Sequence, residues 1–384
     1  MQSEWKKYQL GDVAEIVGGG TPKTKVQEYW NGEIPWLTPR DLSNFPGRYI
    51  SNGSRNVSKL GLNSSSAKML PKGTVLLSSR APIGYLAIAL NEITTNQGFR
   101  SLIPNSKSDS LFLFYLLKNN VEYLKSQSTG TTFGELAGST LKSLSFLFPP
   151  LPEQKAIASL LSSLDDKIDL LYRQNKTLEA MAETLFRQWF VEEAQEGWDN
   201  GEIPDEFDYI MGSSPPGESY NETGEGIPMF QGNADFEFRF PKRRIFTTDP
   251  KRFAEKYATL ISVRAPVGAQ NMAIEKCCIG RGVAAFRYKR NNDYYTYSYF
   301  KLKSLMKEIQ SFNDTGTVFG SISKADFEAL EIVIPPNELV DKYQAEVKPI
   351  DDKVISNTIQ IHTLEKLRDT LLPKLMSGKV HVGC

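Results

Sequence analysis

The feature that most constrains this 384-residue chain is that it repeats itself. The stretch SSRAPIGYLAIA, starting at Ser78, returns in part as SVRAPVGAQNMA from Ser262, 184 residues on. GGGTP at Gly18 matches MGSSP at Met211, and Ile34-Pro35 matches Ile227-Pro228, both 193 apart. Gly98 matches Gly282 at 184. TGTTFG at Thr129 matches TGTVFG at Thr315, and DDKI at Asp165 matches DDKV at Asp351, both at 186. Matches that keep one order, with an offset that drifts only in loops, mean a duplicated domain followed by a duplicated connector.

Each copy has two parts. The first is strand-like, with short apolar runs such as GTVLLSS and YLAIAL punctuated by Gly, Pro, Asn and Ser. One helix closes it, over 110–127 in the first copy and 294–312 in the second. The second part follows a Pro-Pro pair and is helical. The expected fold is α+β: two similar, strand-rich mixed α/β domains at 1–150 and 193–334, separated by two long antiparallel helices, one at 151–192 and one, with a C-terminal tail, at 335–384.

Those helices carry a heptad seam. From Ile157, steps of four and three reach Leu161, Leu164, Ile168, Leu171, Asn175, Leu178, Ala182, Leu185 and Trp189. Shifted by 186, the seam reads Tyr343, Val347, Ile350, Val354, Asn357, Ile361, Leu364, Arg368, Leu371 and Leu375. Only Asn175, Asn357 and Arg368 are polar, which is a coiled-coil pattern. If the helices run antiparallel with Asn175 facing Asn357, facing numbers sum to 532 and every seam residue meets another: Leu178 with Val354, Leu171 with Ile361, Leu185 with Val347. The other reading packs each helix separately on its own domain. At ~1.5 Å per residue the seam is roughly 48 Å long, a strut expected to hold the two domains in a pseudo-twofold relation, over more than the ~34–36 Å of one DNA turn. Pro152 suits a first helical turn. Pro349 is expected to delay or kink the second helix, and Pro373 to end or kink it.

Composition narrows the function. Lys+Arg and Asp+Glu balance at 45 each, but residues 1–150 carry +6, 151–208 carry −9 and 209–334 carry +3. Two basic blocks flank an acidic one, which suits two polyanion-binding domains as well as ordinary surface variation. No apolar run approaches the ~20 residues of a membrane span, the N-terminus has no signal core, and Cys277, Cys278 and Cys384 make no disulfide framework. A cytoplasmic location without membrane attachment is expected, with Cys277-Cys278 a buried apolar pair. Two histidines, His362 and His381, leave almost no material for histidine or metal chemistry. None of the Pro-Pro segments FPPL, SPPG and IPPN is the Asn/Asp-Pro-Pro-aromatic motif of an amino-methyltransferase. The DDK of each helix reads as the charged flank of a coiled coil in preference to a nuclease fragment.

The blocks G.TP…IP, LLSSRAPIG, TGTTFGEL and FPPLPEQKAIASLLSSLDDKI, with MGSSPPGESYNETGEGIPMFQGNADF and the closing LRDTLLPKLMSGKV, resemble the specificity subunits of Type I restriction–modification systems over nearly the whole chain. The resemblance implies a non-catalytic DNA-recognition subunit, with each globular domain a target recognition domain reading half of a split site in double-stranded DNA. It implies two modification (methyltransferase) subunits docked on the helices and bringing S-adenosylmethionine, and restriction/translocase subunits bringing ATP and Mg. This chain itself would hold no cofactor or metal. The second copy departs from the pattern, reading NELVDKYQA after its Pro-Pro pair without the Glu-Gln of the first. The alternatives are a self-contained DNA methyltransferase or nuclease with an unrecognised motif, and a coiled-coil protein-binding scaffold.

Candidate DNA contacts are Arg40, Arg48, Arg55, Lys59 and Arg80 in the first domain, and Arg239, Lys242, Arg243, Arg244 and Arg264 in the second. Arg80 and Arg264 belong to the repeated Arg-Ala-Pro, which reads both as a tight turn and as a turn aiming an arginine at phosphate. FRFPKRRIF is the densest basic run, a DNA-facing edge or a solvated hairpin. TGTTFG and TGTVFG read as glycine-turned loops, structural or phosphate-binding. The spacer residues expected to pair the helices and carry docked subunits are the seam positions Ile157, Leu161, Leu164, Ile168, Leu171, Asn175, Leu178, Val347, Val354, Asn357, Ile361 and Leu364. Divergence between the copies is what two different half-sites need, because base readout requires different side chains on similar frames.

Overall fold

The structure, a computed structural model, describes residues 5–43, 45, 47–80, 82–128, 134–313 and 320–382. The repeated TGTTFG and TGTVFG stretches lie outside this set except for their final glycines, as do Ala81 and Cys384. The chain forms two compact units, residues 1–169 with 363–384, and residues 170–362.

In the first unit, five strands order as Ala14–Gly18, Arg100–Pro104, Val75–Ser79, Ile83–Ala89 and Tyr49–Ile50. The central strand Val75–Ser79 is buried throughout, as a short apolar run bounded by turns predicts. Helices Ser110–Asn119 and Val121–Ser126 pack on this sheet. A three-stranded sheet, Arg55–Val57, Trp30–Leu37 and Thr94–Thr95, stands beside it around Trp30 and Trp36. Lys6–Gln9 pairs with Ser145–Phe148.

The second unit repeats the plan. Phe207–Met211, Val283–Tyr288, Thr259–Ser262 and Gln270–Met272 correspond strand for strand to the first four of the five-stranded sheet. Ile227–Phe230 lies antiparallel to Ile245–Thr247, as Trp30–Leu37 does to Arg55–Val57. Asp199–Glu202 pairs with Glu331–Ile334. The closing helix expected over 110–127 is broken at Asn120, whose side-chain amide donates to the Leu116 carbonyl at 2.7 Å, a local bond that competes with helix continuation. Its counterpart breaks at the matching place, between Tyr295–Ser304 and Met306–Ser311.

The long helices are Leu151–Arg187, continued by a wider π turn at Gln188–Glu192, and Asn337–Met376. Every seam position is buried or half-buried. In the first unit Ile157 and Leu161 share a core with Leu372, Leu375 and Met376, so the end of the second helix belongs with the first domain. In the second unit Trp189 packs edge-on against Tyr343 at 5.9 Å, a pair summing to 532, and the Tyr343 hydroxyl donates to the Ala182 carbonyl at 3.0 Å. As numbering rises on one helix it falls on the other, so the segments are antiparallel. The asparagines differ from expectation. Both are buried, but Asn175 Nδ2 donates to Thr358 Oγ1 at 3.1 Å, and the Asn357 amide has no hydrogen-bond partner among the described residues, so no hydrogen bond joins the two.

The prolines also differ. The second helix starts at Asn337 and runs through Pro349 without interruption. One lost backbone bond costs ~3 kcal/mol, and fully buried Tyr343, Val347 and Val354 hold the helix on either side. Pro373 sits inside the last turn. The helix ends instead at Gly378, with φ +69, through a Schellman pair: Lys379 N–H to the Lys374 carbonyl and Gly378 N–H to the Leu375 carbonyl.

A glutamine near the start of each long helix ties it to its domain, at a different helical position in each copy. Gln154 accepts from the Asp109 N–H at 2.9 Å and donates to the Lys107 and Pro149 carbonyls. The second copy lacks it, but Gln344, one turn further along, accepts from the Tyr297 N–H at 3.0 Å.

Candidate nucleic-acid interface

The repeated Arg-Ala-Pro is a turn tied by the serine two residues before its arginine. Ser78 Oγ donates to the Pro82 carbonyl at 2.7 Å and accepts from the Tyr85 N–H at 2.8 Å. Ser262 Oγ donates to the Pro266 carbonyl at 2.8 Å and accepts from the Ala269 N–H at 2.9 Å. The identical bonding shows why the motif recurs. The arginines then diverge. Arg80 lies 3.8 Å from Glu135, which also binds Arg100 at 2.8 Å. Where the first copy has Glu135, the second has Ser321, so Arg264 is exposed with no ion pair among the described residues.

A second shared feature is the loop after Trp30–Leu37 and after Ile227–Phe230. One aspartate closes it in each unit. Asp41 accepts from the Thr38 N–H at 2.7 Å and the Ser54 N–H at 2.8 Å. Asp235 accepts from the Gln231 N–H at 2.7 Å and from the Arg244 guanidinium. Burial opposes ionisation of Asp41, but the hydrogen bonds from Thr38 and Ser54 outweigh it and hold the carboxyl below its ordinary value. The repeated glycine supports the same loop: a Cβ on Gly282 would come 2.1 Å from the Gln231 carbonyl oxygen, and one on Gly98 2.8 Å from the Pro39 ring.

On this shared frame the side chains differ. The first unit exposes Arg40 in the loop and, on the neighbouring strand, Arg55, whose guanidinium lies 3.6 Å over the Trp30 ring. The second exposes Gln231 and Asn233, beside a cleft of about 450 Å³ walled by Asp235, Arg244, Arg264 and Pro266. Lys59 is exposed at the start of helix Lys59–Asn63. Lys242 and Arg243 are exposed and paired with Glu237 at 3.8 Å and Glu275 at 2.6 Å, surface pairs of little net worth that a polyanion can displace.

Two of the ten candidate contacts are placed elsewhere. Arg48 is buried and meets the Tyr115 hydroxyl at 3.0 Å, Asp165 at 3.4 Å and Asp166. Arg239 is buried against Asp351, with its guanidinium 3.7 Å over the Tyr299 ring. The two arginines are equivalent. The Arg48 carbonyl accepts from Ile88 and that of Arg239 from Met272, residues 184 apart; Tyr115 and Tyr299 are 184 apart and Asp165 and Asp351 are 186 apart. The DDK motif is therefore a dock, where each domain plants an arginine on the first aspartate of its helix. A strand-edge arginine that finds a buried carboxylate is not available to phosphate.

Among the described residues no group of three or more His, Cys, Asp or Glu side chains is placed to hold a metal ion. Cys277 and Cys278 are fully buried, and burial pushes the Cys277 thiol up to about 12. No described helix is long and apolar enough to cross a membrane. The residues that shape the candidate interface but escape a search for basic side chains are Ser78, Ser262, Asp41, Asp235, Gln231 and Asn233. The serines could have been found, since they align at the same offset as the arginines.

Two domains on one frame, with matching turns and unlike polar walls, define a two-module recognition protein. The model of the Type I restriction modification DNA specificity domain matches residues 2–180 and again 195–368, and the chain belongs to that family, the non-catalytic DNA-recognition subunits of Type I restriction–modification systems. It is 35% identical over 412 residues to the Type I restriction enzyme MjaIX specificity subunit of Methanocaldococcus jannaschii, covering 99% of this chain and 94% of that one. The putative MjaX specificity subunit of the same organism is 30% identical over 413 residues, at the same coverage. The crystal structure of the S subunit from M. genitalium shares the fold, with a TM-score of 0.66 and 21% identity over 97% of this chain and 96% of that one.

Proposed function

We propose that each unit reads one half of a split target in double-stranded DNA, through the face that carries its Arg-Ala-Pro turn and aspartate-closed loop. In the first unit Arg40, Arg55, Lys59 and Arg80 would meet DNA. In the second, Lys242, Arg243, Arg244 and Arg264 would do so. The observation that carries this reading is the pairing of an identically bonded turn with unlike neighbouring side chains, since phosphate contacts position a protein and base contacts specify.

The long helices would serve two modification subunits. The first helix presents Met181, 49% exposed, with Lys176, Thr177, Ala180, Thr184 and Leu185 around a shallow hollow of about 630 Å³, an apolar face suited to a protein partner. S-adenosylmethionine would act in the modification subunits, and ATP with Mg in the restriction subunits.

The test exchanges residues 18–148 for those of a relative and maps the methylated motif in host DNA. A change in one half of the motif alone is the expected result. Loss of both halves together would contradict independent readers.

A further inference from the structure

Within that half-site reading, on which this inference rests, we propose that the cleft of the second unit is its base-reading site: Gln231 and Asn233 contact base edges with a preference for adenine, and Arg264 takes the adjoining phosphate.

Four observations converge on the cleft. First, the loop carrying both amides is held by bonds that do not involve those amides. Asp235 accepts from the Gln231 backbone N–H at 2.7 Å, and the Gln231 carbonyl lies against Gly282. The side chains are therefore presented from a rigid backbone, which lowers the ordering cost of binding. Second, Gln231 and Asn233 are exposed, and their amides make no hydrogen bond among the described residues. Third, the one carboxylate in the cleft wall is already paired with Arg244, so it does not repel a polyanion. Fourth, Arg264 borders the same cleft and lacks the carboxylate that engages its counterpart Arg80.

The chemistry selects the base. A side-chain amide sets an N–H donor beside a carbonyl acceptor, so it donates to adenine N7 and accepts from N6–H in the major groove. A guanidinium matches guanine O6 and N7. At the offset of 193, Gln231 corresponds to Thr38 and Asn233 to Arg40. The same loop thus carries an amide in one unit and a guanidinium in the other, on backbones closed by equivalent aspartates.

The experiment uses the full chain assembled with its modification subunits and a library of randomised duplexes. The unaltered complex selects a split motif. Gln231→Ala and Asn233→Ala each reduce base preference about ten- to hundred-fold at positions in one half only, with the other half and the thermal midpoint unchanged. Asn233→Arg shifts that position toward guanine, a gain that misfolding cannot produce. Arg264→Ala weakens binding to all sequences alike and reduces the salt slope by about one. The inference is overturned if the amide variants select the original motif with undiminished preference, or if Arg264→Ala alters preference at one base with the salt slope intact. If the unaltered complex selects no split motif, the half-site reading fails and the inference falls with it.

Discussion

Arg239 and Asp351 form an ion pair in which neither side chain reaches solvent. Thr296 Oγ1 donates to the second oxygen of Asp351 at 2.9 Å, and the Tyr299 ring covers the guanidinium. Deleting one member of such a pair strands the other as a buried charge, at a cost of ~3–5 kcal/mol. Asp351→Ala is expected to lower the free energy of unfolding, measured by denaturant titration, by that amount. The control is the exposed Lys324–Glu328 pair of the same unit, at 3.1 Å, where Glu328→Ala costs at most ~1 kcal/mol. Equal effects in the two variants would show that the dock is not a buried anchor.

The corresponding anchor of the first unit sets an acid limit. Asp165 is buried, which opposes its ionisation, but hydrogen bonds from Tyr115 and Arg368 and the charges of Lys118 and Arg368 hold it below the ordinary aspartate value of 3.8. Arg48 faces it as well. A depressed carboxylate contributes stability above its unfolded pKa, and that contribution is lost as pH falls through the folded value. Unfolding followed by tryptophan fluorescence should therefore show a stability decline below about pH 4 that is shallower in Asp165→Asn. Identical acid limbs would remove Asp165 as the titrating group.

In the helix seam, replacing the two asparagines should have unequal effects. The Asn357 amide is buried without a partner among the described residues, and an unsatisfied amide costs ~1–3 kcal/mol. Asn357→Leu is expected to raise the denaturant midpoint. Asn175→Leu breaks the bond to Thr358 and buries more apolar surface, so its net effect should be smaller. A destabilised Asn357→Leu would mean that the site cannot accept the branched side chain.

Anchor and interface arginines separate by salt dependence. Arg55 is exposed and stacked on Trp30, so Arg55→Ala should weaken DNA binding and reduce the slope of log affinity against log salt by about one. Arg48→Ala should lower stability yet leave the slope of the folded fraction unchanged. A reduced slope for Arg48→Ala would return that residue to the interface.

The repeat, the strand-rich domains and the antiparallel helices were legible in the sequence because each rests on periodicity or on collinear matches. The roles of the arginines were not. Arg48 and Arg55 lie seven residues apart in the same basic stretch, and composition cannot tell the one that finds Asp165 from the one that lies exposed over Trp30 and Trp36. No collinear match pairs Arg48 with Arg239, whose equivalence rests on backbone bonds to Ile88 and Met272, whereas Arg55 falls where the second copy has Ile245, in the same strand register. Pro349 misled for a related reason. Local preference argues for a break, but the packing of Tyr343 and Val347 against the partner segment overrides it. Asn120 shows the converse, a local side-chain bond ending a helix that the apolar pattern would continue.

Ser78 and Ser262 shape their turns from the strand side, using only carbonyls and N–H groups of the turn. None of those bonds depends on which side chains stand at Arg40, Arg55, Gln231 or Asn233. On the proposed half-site reading, the scaffold leaves the reading positions free to vary, and a lineage of such proteins would change the sequence it recognises by a few point mutations without first rebuilding its fold.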